Sequence, residues 1–267
     1  MLRAQQGYLL AEALCALALA GALAVVAATA LTGAQRASRA AELRERAGRA
    51  ERETIAVLRG AMEQGQVIAV RGDTAVDVDL TIAYGVACGV EPNALWLPPT
   101  RVVAGTPLVA ALQSPGPDDV VAIRVAASPT SAPSWQEFVI DSVRSAIPAG
   151  FCDASDGWTS AADAATPRWR LTLRDALGPE VEVRATLRIA RPGRFTLYHA
   201  GRGEWMLGWR RCAPDYFVCG VVQPIAGPLR TPAAGGLRVR ARATGDGWDL
   251  EARGAGADGV AKATVFQ

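Results

Sequence analysis

Histidine is nearly absent: the 267 residues include one, His199. A serine–histidine–aspartate relay has only that imidazole to draw on. No Gly-x-Ser-x-Gly elbow occurs and no base stands beside any serine, so a hydrolase site of this kind is not expected. His199 ends a strand-like run and reads as a surface or packed residue. The cysteine spacings fit no zinc ligand pattern. Net charge is close to neutral at +2 and the arginines are dispersed, with no basic cluster interleaved with aromatics, so nothing points to nucleic acid. Gly254-Ala-Gly256-Ala-Asp-Gly259 has the spacing of a dinucleotide fingerprint, but it leads into Val260–Phe266, a strand pattern and not a helix, and reads as a hairpin turn. Asp153, Asp156 and Asp163 fall in one loop and Asp118-Asp119 in another. Calcium takes six to eight oxygens from a spaced loop, which neither supplies, so these read as turn-forming aspartates. No metal, no cofactor and no enzymatic activity are expected.

What is abundant is apolar residues, at 50% of the chain against 20% charged, enough for a real core beyond any membrane segment. The first thirty-odd residues are the most informative. A polar leader carrying Arg3 ends at Gly7; Tyr8-Leu9-Leu10-Ala11-Glu12 follows, then apolar residues to about Leu31. That run is long enough to cross a bilayer as one helix. A secretory signal peptide would have a shorter apolar core with the small residue after it, whereas Gly7 comes before it. Glu12 is costly in hydrocarbon unless it finds a partner, which a simple anchor does not provide.

The order polar leader, Gly7, aromatic Tyr8, then Glu12 five positions past the glycine resembles the class III signal of type IV prepilins and pseudopilins. The resemblance implies cleavage between Gly7 and Tyr8 by a prepilin peptidase and methylation of the new N-terminus at Tyr8, where the usual residue is Phe. It implies that Glu12 pairs with the freed amine of a neighbouring subunit, since a buried charge is tolerable when an opposite charge meets it. More loosely, Tyr198–Leu229, with Gly203-Glu204-Trp205, Arg210-Arg211-Cys212 and Gln223-Pro224-Ile225, resembles the C-terminal part of minor pilins and of type II secretion pseudopilin J. The implied partners are the peptidase, other pilin or pseudopilin subunits, an inner-membrane assembly platform and the membrane. The implied location is the cytoplasmic (inner) membrane, single-pass with the N-terminus inside, and then periplasm or a cell-surface fibre. The charge rule disagrees: Arg36, Arg39, Arg44, Arg46, Arg49 and Arg52 follow the apolar run, against Arg3 before it. The orientation adopted rests on the resemblance, because the leader must face the peptidase. The competing reading is a membrane-anchored extracytoplasmic binding domain that does not polymerise.

The chain divides into a leader at 1–7, an N-terminal helix at 8–65 (transmembrane at about 8–32, amphipathic at about 33–65) and an extracytoplasmic β-rich domain at 66–267. In the amphipathic part Leu43, Ala47, Ala50, Thr54, Val57, Leu58 and Ala61 recur at spacings of three and four, and the opposite face alternates Arg and Glu. Gly65 fits a stop. Beyond it Ala75–Ile82 alternates strictly, the mark of a strand, and Val120–Val125, Glu137–Val143, Trp169–Arg174, Val181–Ile189, Phe195–His199, Leu237–Ala243, Trp248–Ala252 and Ala261–Phe266 are further strands. Pro115-Gly116-Pro117, Gly178-Pro179, Pro192-Gly193 and Gly245-Asp246-Gly247 are the expected turns. The fold class is α+β, a long membrane-spanning helix followed by a mostly antiparallel β domain, the order that the pilin fold shows. Cys15 lies in the apolar run. Cys88, Cys152, Cys212 and Cys219 all fall in the exported part and read as two disulfides, for which three pairings are open; the short Cys212–Cys219 spacing favours that bond and leaves Cys88 with Cys152. The seven tryptophans read as core residues or contact anchors, with Trp205 and Trp209, beside the Cys212–Cys219 loop, as candidates for an interface.

Overall fold

The protein is described from a computed structural model. It describes residues 3–103, 105–126, 132–147, 150, 152–153, 157–201, 203–215, 218–256 and 259–266, with the side chains of the N-terminal helix from Glu12 onward. One helix, α1 (Arg3–Gln64), opens the chain. It contains no proline and is rich in alanine, leucine, arginine and glutamate, all strong helix formers. Its last turn closes as the Gly65 N–H donates to the Ala61 carbonyl at 3.0 Å. The strands follow as β1 (Gln66–Arg71), β2 (Ala75–Val86), β3 (Gly89–Glu91), β4 (Ala94–Trp96), β5 (Ala110–Ala111), β6 (Val120–Val125) and β7 (Ser134–Ala146). The second half adds β8 (Arg168–Leu173), β9 (Thr186–His199), β10 (Trp205–Arg211), β11 (Gln223–Leu229), β12 (Leu237–Ala241), β13 (Gly247–Ala252) and β14 (Ala261–Phe266). The larger sheet runs β1-β2-β9-β6-β7-β8-β4-β3, with β10, β11 and β5 branching from it; the smaller is β12-β13-β14. The class is therefore α+β: one long N-terminal apolar helix, then antiparallel sheets.

The C-terminal half of α1 is held by the stripe Ala47, Ala50, Thr54, Leu58 and Met62, buried at spacings of three and four. It meets Val76 and Val78 of β2, Phe195 and Leu197 of β9, Leu207 of β10, Leu229 of β11, and Leu250 and Val265 of the smaller sheet. Leu58 and Met62 are wholly enclosed, and each such side chain contributes about 1.5–3 kcal/mol. A second core lies farther along the large sheet, around Ile82, Val121, Ile123, Ile140, Leu171, Leu187 and Ile189.

Leu43 departs from the stripe expected of it: it is 59% exposed, because the β-rich part meets the helix only one turn later, at Ala47. Glu51 departs the other way. It is outside the apolar stripe, among the Arg and Glu residues expected on the opposite face, yet it is buried and accepts the Gly254 N–H at 2.8 Å. A Cβ on Gly254 would stand 2.4 Å from the Ala47 carbonyl oxygen, so only glycine lets this loop approach the helix so closely.

The expected turn at Pro192-Gly193 is a correction, since both residues lie inside β9. β2 pairs with β9 along one edge, while on the other edge β6 pairs with Leu187–Ala190 and β10 with Gly193–His199. Pro192 sits at the handover between β6 and β10 and accepts from Cys212 N at 3.0 Å through its carbonyl, so its missing N–H breaks no ladder. Gly193 leaves room for the Trp209 indole, which would come within 2.0 Å of a Cβ there. The two shorter strands expected on either side of this dipeptide are thus one from Thr186 onward, while Val181–Ala185, expected in the first of them, forms a turn before it. β10 and β11 lack alternation and were not legible as strands; β11 carries Pro224 and Pro228 and pairs in a ladder with β10 alone, where bulges accommodate them.

Candidate functional site

The candidate site is α1 itself. Leu14, Leu17, Leu19, Leu23, Val25, Val26 and Leu31 are 60–70% exposed. Apolar surface of this extent is not left in water; it is covered by lipid or by other helices. Among the described residues α1 is the one helix long and apolar enough to cross a membrane. Glu12 is exposed at the head of this stretch and has no hydrogen bond or ion pair among the described residues. Gly7 and Tyr8, the cleavage and methylation positions, lie on helical backbone, and their side chains are outside the described residues. Past the span the exposed face is knitted by Glu45–Arg49 at 3.0 Å and Arg59–Glu63 at 2.7 Å.

Two disulfides fasten the β-rich part. Cys88 joins Cys152 with Cα atoms 5.0 Å apart, in a small cluster with Trp96 and Trp158. Cys212 joins Cys219 with Cα atoms 3.9 Å apart and closes the turn from β10 to β11. Cys15 is free and exposed in the span.

Three aspartates are fully buried, and protein donors hold each. Asp77 accepts from Arg71 Nε at 2.5 Å and from Arg194 Nη2 at 3.1 Å. Asp119 accepts from Arg191 Nε and Nη2, both at 2.9 Å, from Arg211 at 2.8 Å and from the Gly116 N–H at 2.9 Å. That bond to Asp119 raises the Arg191 pKa above its ordinary value. Asp163 accepts from the Val103 N–H at 2.7 Å and the Ser160 hydroxyl at 2.6 Å. Arg174 bridges Asp118 to Asp215 across the Cys212–Cys219 turn. These oxygens tie strands and loops to one another, and among the described residues no three His, Cys, Asp or Glu side chains are grouped to hold a metal. Asp156 lies outside the described residues. The sequence pattern set Asp77 on a solvated strand face, but both faces of β2 are covered around it, a fact local alternation does not carry.

Asp79, two residues on, has no such partner: its Oδ1 is buried without a hydrogen bond. Burial, and then Glu137, push its pKa from 3.8 to about 6, against the opposing pull of Arg188. Below about pH 4 the group is protonated folded and unfolded and contributes nothing. Between there and about pH 6 the unfolded chain ionises first, so stability falls as pH rises, then levels off. The rise corresponds to at most about 3 kcal/mol, which partial exposure reduces to about 1 kcal/mol. Asp79→Asn is therefore expected to remove this slope and to stabilise the protein by about 1 kcal/mol at neutral pH. Urea unfolding of the detergent-solubilised protein on either side of that interval checks it; an unchanged slope would refute the assignment.

The remaining candidates are structural. His199, at the end of β9, is exposed and meets the Trp205 ring edge-on at 5.5 Å. Trp209 lies 4.7 Å from Phe195, and both Trp205 and Trp209 pack against the core under α1, so neither stands out as a free contact anchor. Gly254–Gly259 joins β13 to β14 with no helix behind it. Comparison of the chain with protein-family models, curated proteins and solved structures finds no match.

Proposed function

We propose that this chain is a minor pilin or pseudopilin, a non-enzymatic subunit of a type IV pilus or type II secretion pseudopilus with a pilin-like fold. The observation that carries the reading is Glu12, one carboxylate without a partner among the described residues, at the head of an exposed apolar helix and five residues past Gly7. The subunit waits in the cytoplasmic membrane with its N-terminus inside, and prepilin peptidase removes residues 1–7. Cleavage frees an amine at Tyr8, about one helical turn before Glu12. A neighbouring subunit's amine then neutralises Glu12, so entry into the fibre is favoured in register with that neighbour. The apolar helices pack in the fibre core and the β-rich parts face outward. A β-rich part of roughly 200 residues repeats poorly along a filament, which favours a place at the tip or in a priming complex.

The test is N-terminal sequencing of the protein extracted from membranes after co-expression with a prepilin peptidase. A chain beginning at methylated Tyr8 is the expected result. A chain still beginning at Met1 would refute this reading and favour the anchored binding domain.

A further inference from the structure

We infer that Arg36 and Arg39 form a two-pronged contact for the phosphate groups of anionic lipids where α1 leaves the bilayer. The inference needs α1 to span a membrane, and it is independent of leader cleavage and fibre assembly. Standing three apart, the two share one face of the helix, and both are exposed. Arg36 has no carboxylate within four residues on either side; the nearest to Arg39 is Glu42, in the weaker basic-first order. Neither makes an ion pair or hydrogen bond among the described residues. In the β-rich part, by contrast, Arg71, Arg170, Arg174, Arg191 and Arg194 are all held by carboxylates.

Distance along the helix places the pair. The apolar stretch ends at Leu31. Arg36 and Arg39 follow it by about 7 and about 12 Å at the α-helical rise, and the polar layer flanking a bilayer core is roughly 5–8 Å thick. Helical side chains lean toward the N-terminus, which here is toward the bilayer, and an arginine stem is long enough to carry its head back. Among the described residues nothing packs on this stretch of the helix. Ala47 is the first buried residue of α1 past Leu31, about 24 Å beyond it, and residues 33–46 are exposed apart from half-buried Ala40. The planar guanidinium fork matches two oxygens of one phosphate. This gives the arginines after the span a role other than orientation, the point on which the charge rule and the leader disagree.

The experiment uses the full chain reconstituted in vesicles of phosphatidylcholine mixed with phosphatidylglycerol at low salt. The readout is the preference of the protein's lipid shell for spin-labelled phosphatidylglycerol over spin-labelled phosphatidylcholine. One arginine near an anionic surface contributes roughly fivefold, and averaging the contact of the pair over the whole lipid shell leaves an expected several-fold preference. It should fall to near unity in the R36Q/R39Q double variant and persist in R124Q/R184Q, which removes two exposed arginines of the β-rich part. Equal preference in the unaltered chain and in R36Q/R39Q overturns the inference, as does equal loss in R124Q/R184Q. Flotation with pure phosphatidylcholine vesicles is read first. Failure to float overturns the membrane-spanning reading and the inference with it, whereas flotation without selectivity overturns the inference alone.

Discussion

Glu12→Leu is expected to leave removal of residues 1–7 intact and to lower recovery of the subunit in sheared fibres by at least about tenfold at neutral pH. The substitution lies beyond the cut and makes the helix more apolar, so membrane insertion should not suffer. On the proposed pairing, what is lost is the partner of the neighbour's amine. Breaking a buried ion pair by deleting one member costs about 3–5 kcal/mol when the other charge is stranded. Here the stranded group has an escape: an α-amine with an ordinary pKa near 8 sheds its proton at neutral pH for about 1.4 kcal/mol, which sets the tenfold floor. The sign with pH follows. Raising the pH toward 9 makes the neutral amine the common form and should shrink the defect, while acidification should deepen it. Immunoblots of sheared and membrane fractions at several pH values measure this. Normal incorporation of the leucine variant would remove the basis for electrostatic registration.

Removing the Cys88–Cys152 bond with paired serines is expected to cost about 4 kcal/mol, against about 2 kcal/mol for the Cys212–Cys219 bond. The difference comes from loop length: one bond closes 64 residues of sequence separation and the other 7, and a longer loop gives the unfolded chain more freedom to lose. The long loop also contains much of the second core, including β6 and β7, so its release loosens the part of the sheet farthest from α1. Urea midpoints for the two double-serine variants, measured on the solubilised chain, check the ordering. A larger loss from the short loop would show that hairpin geometry outweighs chain entropy.

Much of the architecture was legible locally. The long apolar helix, the stop at Gly65, the strict alternation of Ala75–Ile82 and the hairpin at Gly245-Asp246-Gly247 each depend on neighbours in sequence, which is the information that periodicity and turn chemistry contain. The misses share a physical cause. Pro192-Gly193 signals a turn only when a strand has one partner throughout; here β9 changes partner at that point, and a large indole fills the space over the glycine. Alternation with Val76 and Val78 set Asp77 on a solvated strand face, and helical periodicity left Glu51 on the charged face. Gly254 and Arg194, far along the chain, supply the bonds that make their burial tolerable. Leu43 was placed in the core because a helix pattern does not say where the surface it packs on begins. In the candidate site, the helix and the position of Glu12 on it could be read from the chain alone, whereas the bare, unpacked turns between the span and Ala47 could not.

The unbroken run of α1 through those turns has a mechanical consequence. With no proline between Arg3 and Gln64 and no gap in helical backbone, the exposed apolar segment and the segment clamped by the sheets belong to one stiff strut. A push along that strut would lift the outer part ångström for ångström, and a twist would swing it through the same angle, with no slack tether to absorb either.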